Sequence, residues 1–400
     1  MAKTRMETKK LSLKYGAAAV VVALVIIGAA MLANPLTSPI VQRQLEPKTS
    51  FLIMLTDPPE VPKGTTQLNL TYSAVSLHVN YPDGTSIWLN IPVTAGKVDL
   101  ISLMNVTQTI ASLTLPTGTT VDKIQFSISS VETKVNGQVY PVTTLTNQLL
   151  VSIRGNGVAS GTLSGVLLDL TPTLVEIQAT NSTGAEVNYY VLAPSATAIV
   201  KTNIPENQRP IGARARLRDE DNEQLDQAKE SASRNVAISS ASLSVSGDTT
   251  NLQVILKNTG NTNATIVGII LHGRFNTLIS KPDNSQGHGN EKPSESDHGK
   301  GNGGSGSDKN LQKVHPESLP FKVSGSSLVP LLSESNDGGN RNLILRPGQS
   351  VTLSFSGVLQ KHPQNDKGKA PETILTPISS DSYIIRLMGE GNATYNVTSL

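Results

Sequence analysis

The side chains that could do chemistry in this chain are few and scattered. Of its six histidines, His288, His298 and His315 fall with acidic residues in one polar stretch. Their spacings match no zinc pattern, and a flexible site forfeits preorganisation, so solvated histidines are the expectation. His78 and His272 lie in alternating apolar patterns, where an edge or hydrogen-bonded core histidine is the ordinary case. Asp219, Glu220, Asp221 and Glu223 crowd together, but the polar face of a helix explains them without a paired-carboxylate active site. Asp57, followed by Pro58 and Pro59, is the best single candidate for a special role. A carboxylate there can cap a turn by accepting backbone N–H bonds, or join a calcium site at the end of a sheet; the structural cap is the expected role. Trp88, the sole Trp, is expected in the core and not as a binding platform. No G-x-S-x-G, P-loop, H-E-x-x-H or EF-hand pattern occurs. The expectation is a chain that is not an enzyme and holds no cofactor or metal.

Six N-x-[ST] sequons, at Asn69, Asn105, Asn181, Asn263, Asn392 and Asn396, are candidate N-glycosylation sites. Asn, Ser and Thr are so frequent here that chance supplies about that many, so their number is no sign of selection for glycans.

Composition narrows the function classes. A net charge of +2 gives no electrostatic case for nucleic acid or acidic lipid. Aromatics make up only 4% of the residues, which weakens readings that need stacking platforms. The chain has no cysteine, so thiolate metal sites are excluded and disulfides cannot hold its domains.

The segment that places these residues is 16–33, GAAAVVVALVIIGAAMLA. It carries no charge, and a helix of its length covers roughly 27 Å, close to the ~30 Å of a bilayer core. Lys3, Arg5, Lys9, Lys10 and Lys14 precede it. By the positive-inside rule residues 1–15 stay in the cytoplasm and the bulk of the chain is extracellular. Two other fates compete with a retained anchor: signal-peptide cleavage near Gly28 and Ala30, and prepilin-type cleavage at Lys14-Tyr15-Gly16.

Residues 34–50, with three prolines, read as a spacer. From Phe51 to about 202 the pattern has period two. In QLNLTYSAVSLHV the apolar face changes parity, which predicts a bulge at about Ala74-Val75. Asn136-Gly137 predicts a two-residue hairpin. Many short strands with turn residues between them imply a sandwich or barrel. Residues 203–234 are polar and predict a linker with a short helix over about 213–232, Arg216 pairing with Glu220 at i,i+4. A second β pattern fills 235–400, interrupted by a Gly-, Ser- and Lys-rich insert at 279–318 whose composition predicts disorder. Because strand patterns flank the insert, it is expected inside one domain; HPQNDKGKAPE at 362–372 is a smaller version.

FLIMLTDPPE, SAVSLHV, IWLNI, VDLISL, LPTGTTVDKIQFSI and NYYVLAPSATAIV occur in an order that resembles an exported family known as domain of unknown function 4382, over about residues 50–200. The resemblance implies an all-β surface domain of archaeal or bacterial envelopes and brings no activity; where many relatives carry a lipidated cysteine, this chain has its apolar segment. Lys257-Asn258-Thr259-Gly260-Asn261 and Leu345-Arg346-Pro347-Gly348-Gln349-Ser350 are similar to turn segments of archaeal immunoglobulin-like surface modules. The resulting expectation is all-β: two tandem β-sandwich, immunoglobulin-like domains behind one transmembrane helix, in an archaeal cell membrane. Their expected role is structural or adhesive, through envelope proteins or self-association. Alternatives are a pilin-like filament subunit and an exported receptor or enzyme.

Overall fold

The structure, a computed structural model, describes residues 47–91, 93, 96–154, 163–180, 186–202, 204–279, 313–332, 342–361, 373–390 and 393–400. Within them the chain is all-β. No helix among the described residues is long and apolar enough to cross a membrane; the span expected at 16–33 lies outside them, as do the cores of the two polar inserts.

The first strand system comprises β1 (Lys48–Thr56), β2 (Thr65–Asn80), β3 (Ser86–Ile91), β4 (Gly96–Asp99), β5 (Val106–Pro116), β6 (Thr120–Val135), β7 (Gln138–Thr144), β8 (Gln148–Arg154), β9 (Ser164–Leu170), β10 (Thr173–Thr180), β11 (Glu186–Ala193), β12 (Ala196–Thr202) and β13 (Arg214–Arg216). Its order is β10-β11-β7-β6-β8-β12-β9-β1-β5-β13, with β2 lying on β6 and carrying β3 and β4 on its far side. Strand β1 begins three residues before the expected domain boundary, and Thr49 is already buried, so the end of the spacer belongs to the sheet.

Local chemistry accounts for the register. In β2, Leu68, Leu70 and Tyr72 are buried, then Val75, Leu77 and Val79. The pairing with β6 slips between Tyr72 and Ala74, so one extra residue keeps the apolar face inward across the parity change, a residue or two before the expected place. Asn136 (φ 50°) and Gly137 (φ 86°) turn β6 into β7 in left-handed conformations that Asn and Gly tolerate best.

Strand β9, SGVLLDL, is buried at every position. It runs parallel to β1 and antiparallel to β12, so it is central, and both of its faces are covered. Phe51, Ile53 and Leu55 of β1, with Val166 and Leu168 of β9, enter the main core. Leu52, Met54 and Leu167 face the other way, under the helix α1 (Asp219–Asn235).

The helix corrects the linker reading. Its buried residues Asp221, Leu225, Ala228 and Ala232 form one stripe, and Leu225 and Ala228 share a small core with Leu52, Met54, Leu167 and Ile199. A polar average concealed this face, because most of the stripe consists of small residues and an acid. Arg216 is not on the helix at all: it pairs in β13 with β5, so the expected Arg216–Glu220 pair does not form on one helix.

The second system comprises β14 (Val236–Ser246), β15 (Thr249–Asn258), β16 (Ala264–Ile279), β17 (Lys313–Ser324), β18 (Ser327–Pro330), β19 (Leu343–Leu345), β20 (Ser350–Lys361), β21 (Thr373–Pro377), β22 (Ser382–Gly389) and β23 (Thr394–Thr398). Strands from both sides of the insert interleave in the order β14-β15-β20-β18-β17-β16-β22-β23. The insert is shorter than its composition suggested: Lys313–Ser318 belong to β17, with Lys313 opposite Thr277. The two turn segments singled out in the sequence meet. Buried Asn258 donates from Nδ2 to Thr262 O and Leu345 O, both at 2.8 Å, and its backbone pairs with Gln349 and Gly348.

The two systems share an apolar contact. Val267, Ile270, Leu331 and Met388 of the second join the main core of the first. At that contact Glu390, nearly fully buried, accepts backbone N–H bonds from Ser152 of β8 and, at 2.9 Å, from Thr265 of β16. Ser195 Oγ donates to Gly389 O at 3.0 Å beside it.

Candidate functional site

The unusual chemistry of the molecule lies beneath α1, at the end of β1 where Thr56 pairs with Asp169 of β9. Asp57 follows directly and is fully buried. It does not cap a turn: neither carboxylate oxygen has a hydrogen-bond partner among the described residues. The cap expectation failed because Pro58 and Pro59 supply no N–H to the carboxylate, while packing closes over the side chain. Burial pushes the Asp57 carboxyl well above the ordinary carboxylate range, and the nearby charge of Asp169 adds to the rise, against a pull downward from Lys229.

Asp169 is also buried, and its Oδ2 takes Lys229 Nζ of α1 at 2.7 Å while Oδ1 has no partner among the described residues. Burial raises its pKa, with the charge and hydrogen bond of Lys229 opposing. Two turns earlier on the same helix face, Asp221 Oδ2 lies 2.5 Å from Lys201 Nζ of β12, both withdrawn from solvent. The helix is thus tied to the sheet by two lysine–aspartate pairs of opposite polarity. Asp99 stands at the border of this region, its Oδ1 accepting the N–H groups of Leu68 and Ile101 at 3.0 and 3.2 Å.

Sequence reasoning found Asp57 and missed its partners. Asp169 interrupts the run GVLLDL and Lys201 follows AIV. An ionisable residue embedded in a continuous apolar strand was the available signal, since such a strand is buried on both faces.

The remaining candidates are apart from this cluster. Trp88 is not in the core: it stands 43% exposed on β3, opposite His78 of β2, with ring centroids 5.2 Å apart. Val75, Leu77 and Val79 take the inward face of β2, which leaves His78 and its cross-strand partner facing out. His78 Nδ1 pairs with Asp122 Oδ1 at 2.6 Å, and His272 Nδ1 with Ser318 Oγ at 2.8 Å. His315 lines a cleft of about 440 Å³ between the two systems, with Glu176, Glu186, Glu317 and Lys361; Lys361 is already paired with Glu317 at 2.7 Å. Of the sequons, Asn105, Asn263 and Asn396 are exposed and Asn69 is half-buried in β2, while Asn181 and Asn392 lie outside the described residues. No group of three or more metal-ligating side chains is arranged around a common point among the described residues.

No protein-family model matches the chain, and no curated protein matches it.

Proposed function

We propose that this chain is a single-pass, membrane-anchored protein of the cell surface, whose two tandem β-sandwich domains of immunoglobulin-like type serve a structural or adhesive role. The first domain is read as one of the domain-of-unknown-function 4382 type. The charge-free segment 16–33 behind a basic N-terminus supports the location. The observation that carries the structural role is Glu390. One buried side chain satisfies backbone donors from both strand systems, so the two move as one stiff body in place of beads on a flexible string.

Adhesion through a sheet edge fits the same reading. Among the described residues strand β3 pairs only with β2, and it presents Ile87 and Trp88 to solvent. An edge with exposed apolar side chains is a surface for strand addition or loop packing by another envelope protein or a second copy. The test is protease treatment of intact, wall-stripped cells, followed by cross-linking of surface neighbours. Residues after about 34 should be cut and the first dozen spared, and Trp88→Lys should abolish the principal cross-link. Protection of the C-terminal part defeats the outside location. A mature chain beginning at Ala17 and assembled into filaments replaces the anchor with a pilin-like subunit. Turnover abolished by a single loop substitution makes the protein an enzyme.

A further inference from the structure

The two pairs that fasten α1 differ in their exposure, Lys229 keeping 27% of its side chain open to solvent above a buried Asp169, and in what stands beside them. Lys201 and Asp221 form a closed pair, with 4% and 9% of their side chains exposed, and neither is among the charges that act on Asp57. Lys229 and Asp169 have beside them the buried carboxyl of Asp57, which has no hydrogen-bond partner among the described residues, and one oxygen of Asp169 likewise has none among them. For stability alone this is a poor arrangement. A buried carboxylate in an ion pair recovers its desolvation cost only when its remaining lone pairs are satisfied, and here three buried carboxylate oxygens have no partner among the described residues.

The same arrangement meets the requirements of a condensation. An amine nitrogen and a carboxyl are held at 2.7 Å. Burial of Asp169 disfavours its charged form, and a third acid, Asp57, directly follows the residue that pairs with Asp169 and can carry protons. We propose that Lys229 and Asp169 condense, with Asp57 as proton carrier, into an intramolecular amide that joins α1 covalently to β9.

The step balances without any co-reactant. A proton passes from the Lys229 ammonium to the Asp169 carboxylate, leaving amine and acid. The Nζ lone pair attacks Asp169 Cγ and the C–N bond forms. Asp57, protonated, donates to the departing hydroxyl as the C–O bond breaks, and then recovers a proton from the nitrogen. Ammonium and carboxylate enter; one amide and one water leave. Solvent water opposes the reaction at ~55 M, but groups held in contact reach effective molarities on the order of 10⁵–10⁸ M, so the folded pair can lie on the amide side. The order of events follows: folding comes first, because only the packed helix brings Lys229 to Asp169, and the bond then locks the packing that made it.

The decisive measurement is the intact mass and tryptic map of the full chain, purified from a host without N-glycosylation. The expected result is a mass lower than that of the sequence by one water, together with a branched peptide joining the Asp169 and Lys229 segments and no cleavage after Lys229. Full mass with cleavage after Lys229 overturns the proposal, as does a branch at Lys201 and Asp221 in its place. Lys229→Arg keeps the cation and should fold with no water lost. Asp57→Asn keeps the shape and should condense at least about 100-fold more slowly, the usual contribution of a positioned acid–base group. Water loss in Asp57→Asn at the rate of the unsubstituted chain removes Asp57 from the mechanism.

Discussion

Replacing Glu390 with Ala should uncouple the two strand systems, and the structure sets the size of the effect. Its carboxylate is the acceptor for the Ser152 and Thr265 amides, one from each system, and both bonds lie where water is excluded. Removing the side chain strands two backbone donors at ~1–3 kcal/mol each. Part of that is returned, because burial holds the Glu390 pKa above the ordinary range even against the hydrogen bonds from Ser152 and Thr265. A net loss of about 2–4 kcal/mol remains, which for units of this size moves a thermal midpoint by on the order of 5–10 °C. Glu390→Gln keeps one carbonyl acceptor but turns an NH₂ group toward the other N–H, and should lose roughly half as much. The nearby bridge between Arg386 and Glu60 is the contrast, since Glu60 is 63% exposed; Arg386→Met should cost under about 1 kcal/mol. Thermal unfolding gives the ranking, and hydrogen exchange locates it, with the Ser152 and Thr265 amides accelerating first. If Glu390→Ala stays within about 0.5 kcal/mol of the parent, or costs no more than Arg386→Met, the clamp is refuted.

Acid should stabilise this protein over the range in which many proteins weaken. Asp57 and Glu390 have folded pKa values raised by burial, so the folded state binds their protons more tightly. Their contribution is complete below the ordinary carboxylate values near 4 and falls as pH rises through the raised values. Midpoints measured from pH 4 to 7 should decline for the parent and decline less steeply in Asp57→Asn, where the share of Glu390 remains; an unchanged slope in the variant contradicts the assignment of Asp57. Residues 280–312 join two strands already paired at Thr277 and Lys313. Replacing them with a short Gly-Ser turn should therefore change stability by less than about 1 kcal/mol, read by denaturant titration. Trp88 is the sole Trp, so its emission should be red-shifted and quenched by acrylamide before unfolding. Emission typical of a buried indole would show that β3 is covered.

Much of the sheet was legible because its signals are local. The bulge in β2 follows from the parity change between Tyr72 and Val75, and the β6–β7 turn from Asn136-Gly137, each settled within a few residues. That strands on both sides of the insert belong together was legible from alternation alone. Other features depended on distant partners. Trp88 has the composition of a core residue, and only the pairing of Val79 with Ile87 and Leu77 with Leu89 shows that its position faces out. The stripe of α1 is hidden by its chemistry: Ala228 and Ala232 are apolar by only a methyl group each, and Asp221 is acceptable there because Lys201 waits beneath it.

The cluster around Asp57 was illegible for a related reason, and the reason bears on what the cluster does. A charge inside an apolar strand is read as a solecism until its partner is known, and here the partners come from β1, β9, β12 and α1, up to 172 residues apart between Asp57 and Lys229. A helix of mean polar character has little hydrophobic adhesion to hold it on a sheet; α1 buries one Leu and two Ala against that surface. The two lysine–aspartate pairs supply what the apolar contact lacks, at the cost of desolvating Lys201, Asp221 and Asp169 and part of Lys229. A chain with no cysteine has no disulfide with which to make such an attachment permanent. An amide between Lys229 and Asp169 would both remove the buried charge of Asp169 with that of its partner and fix the helix, so one bond answers the desolvation of Asp169 and the weak packing together. If the chain retains its full mass, the helix should instead be the first element to exchange and detach, well below the midpoint of the sheets.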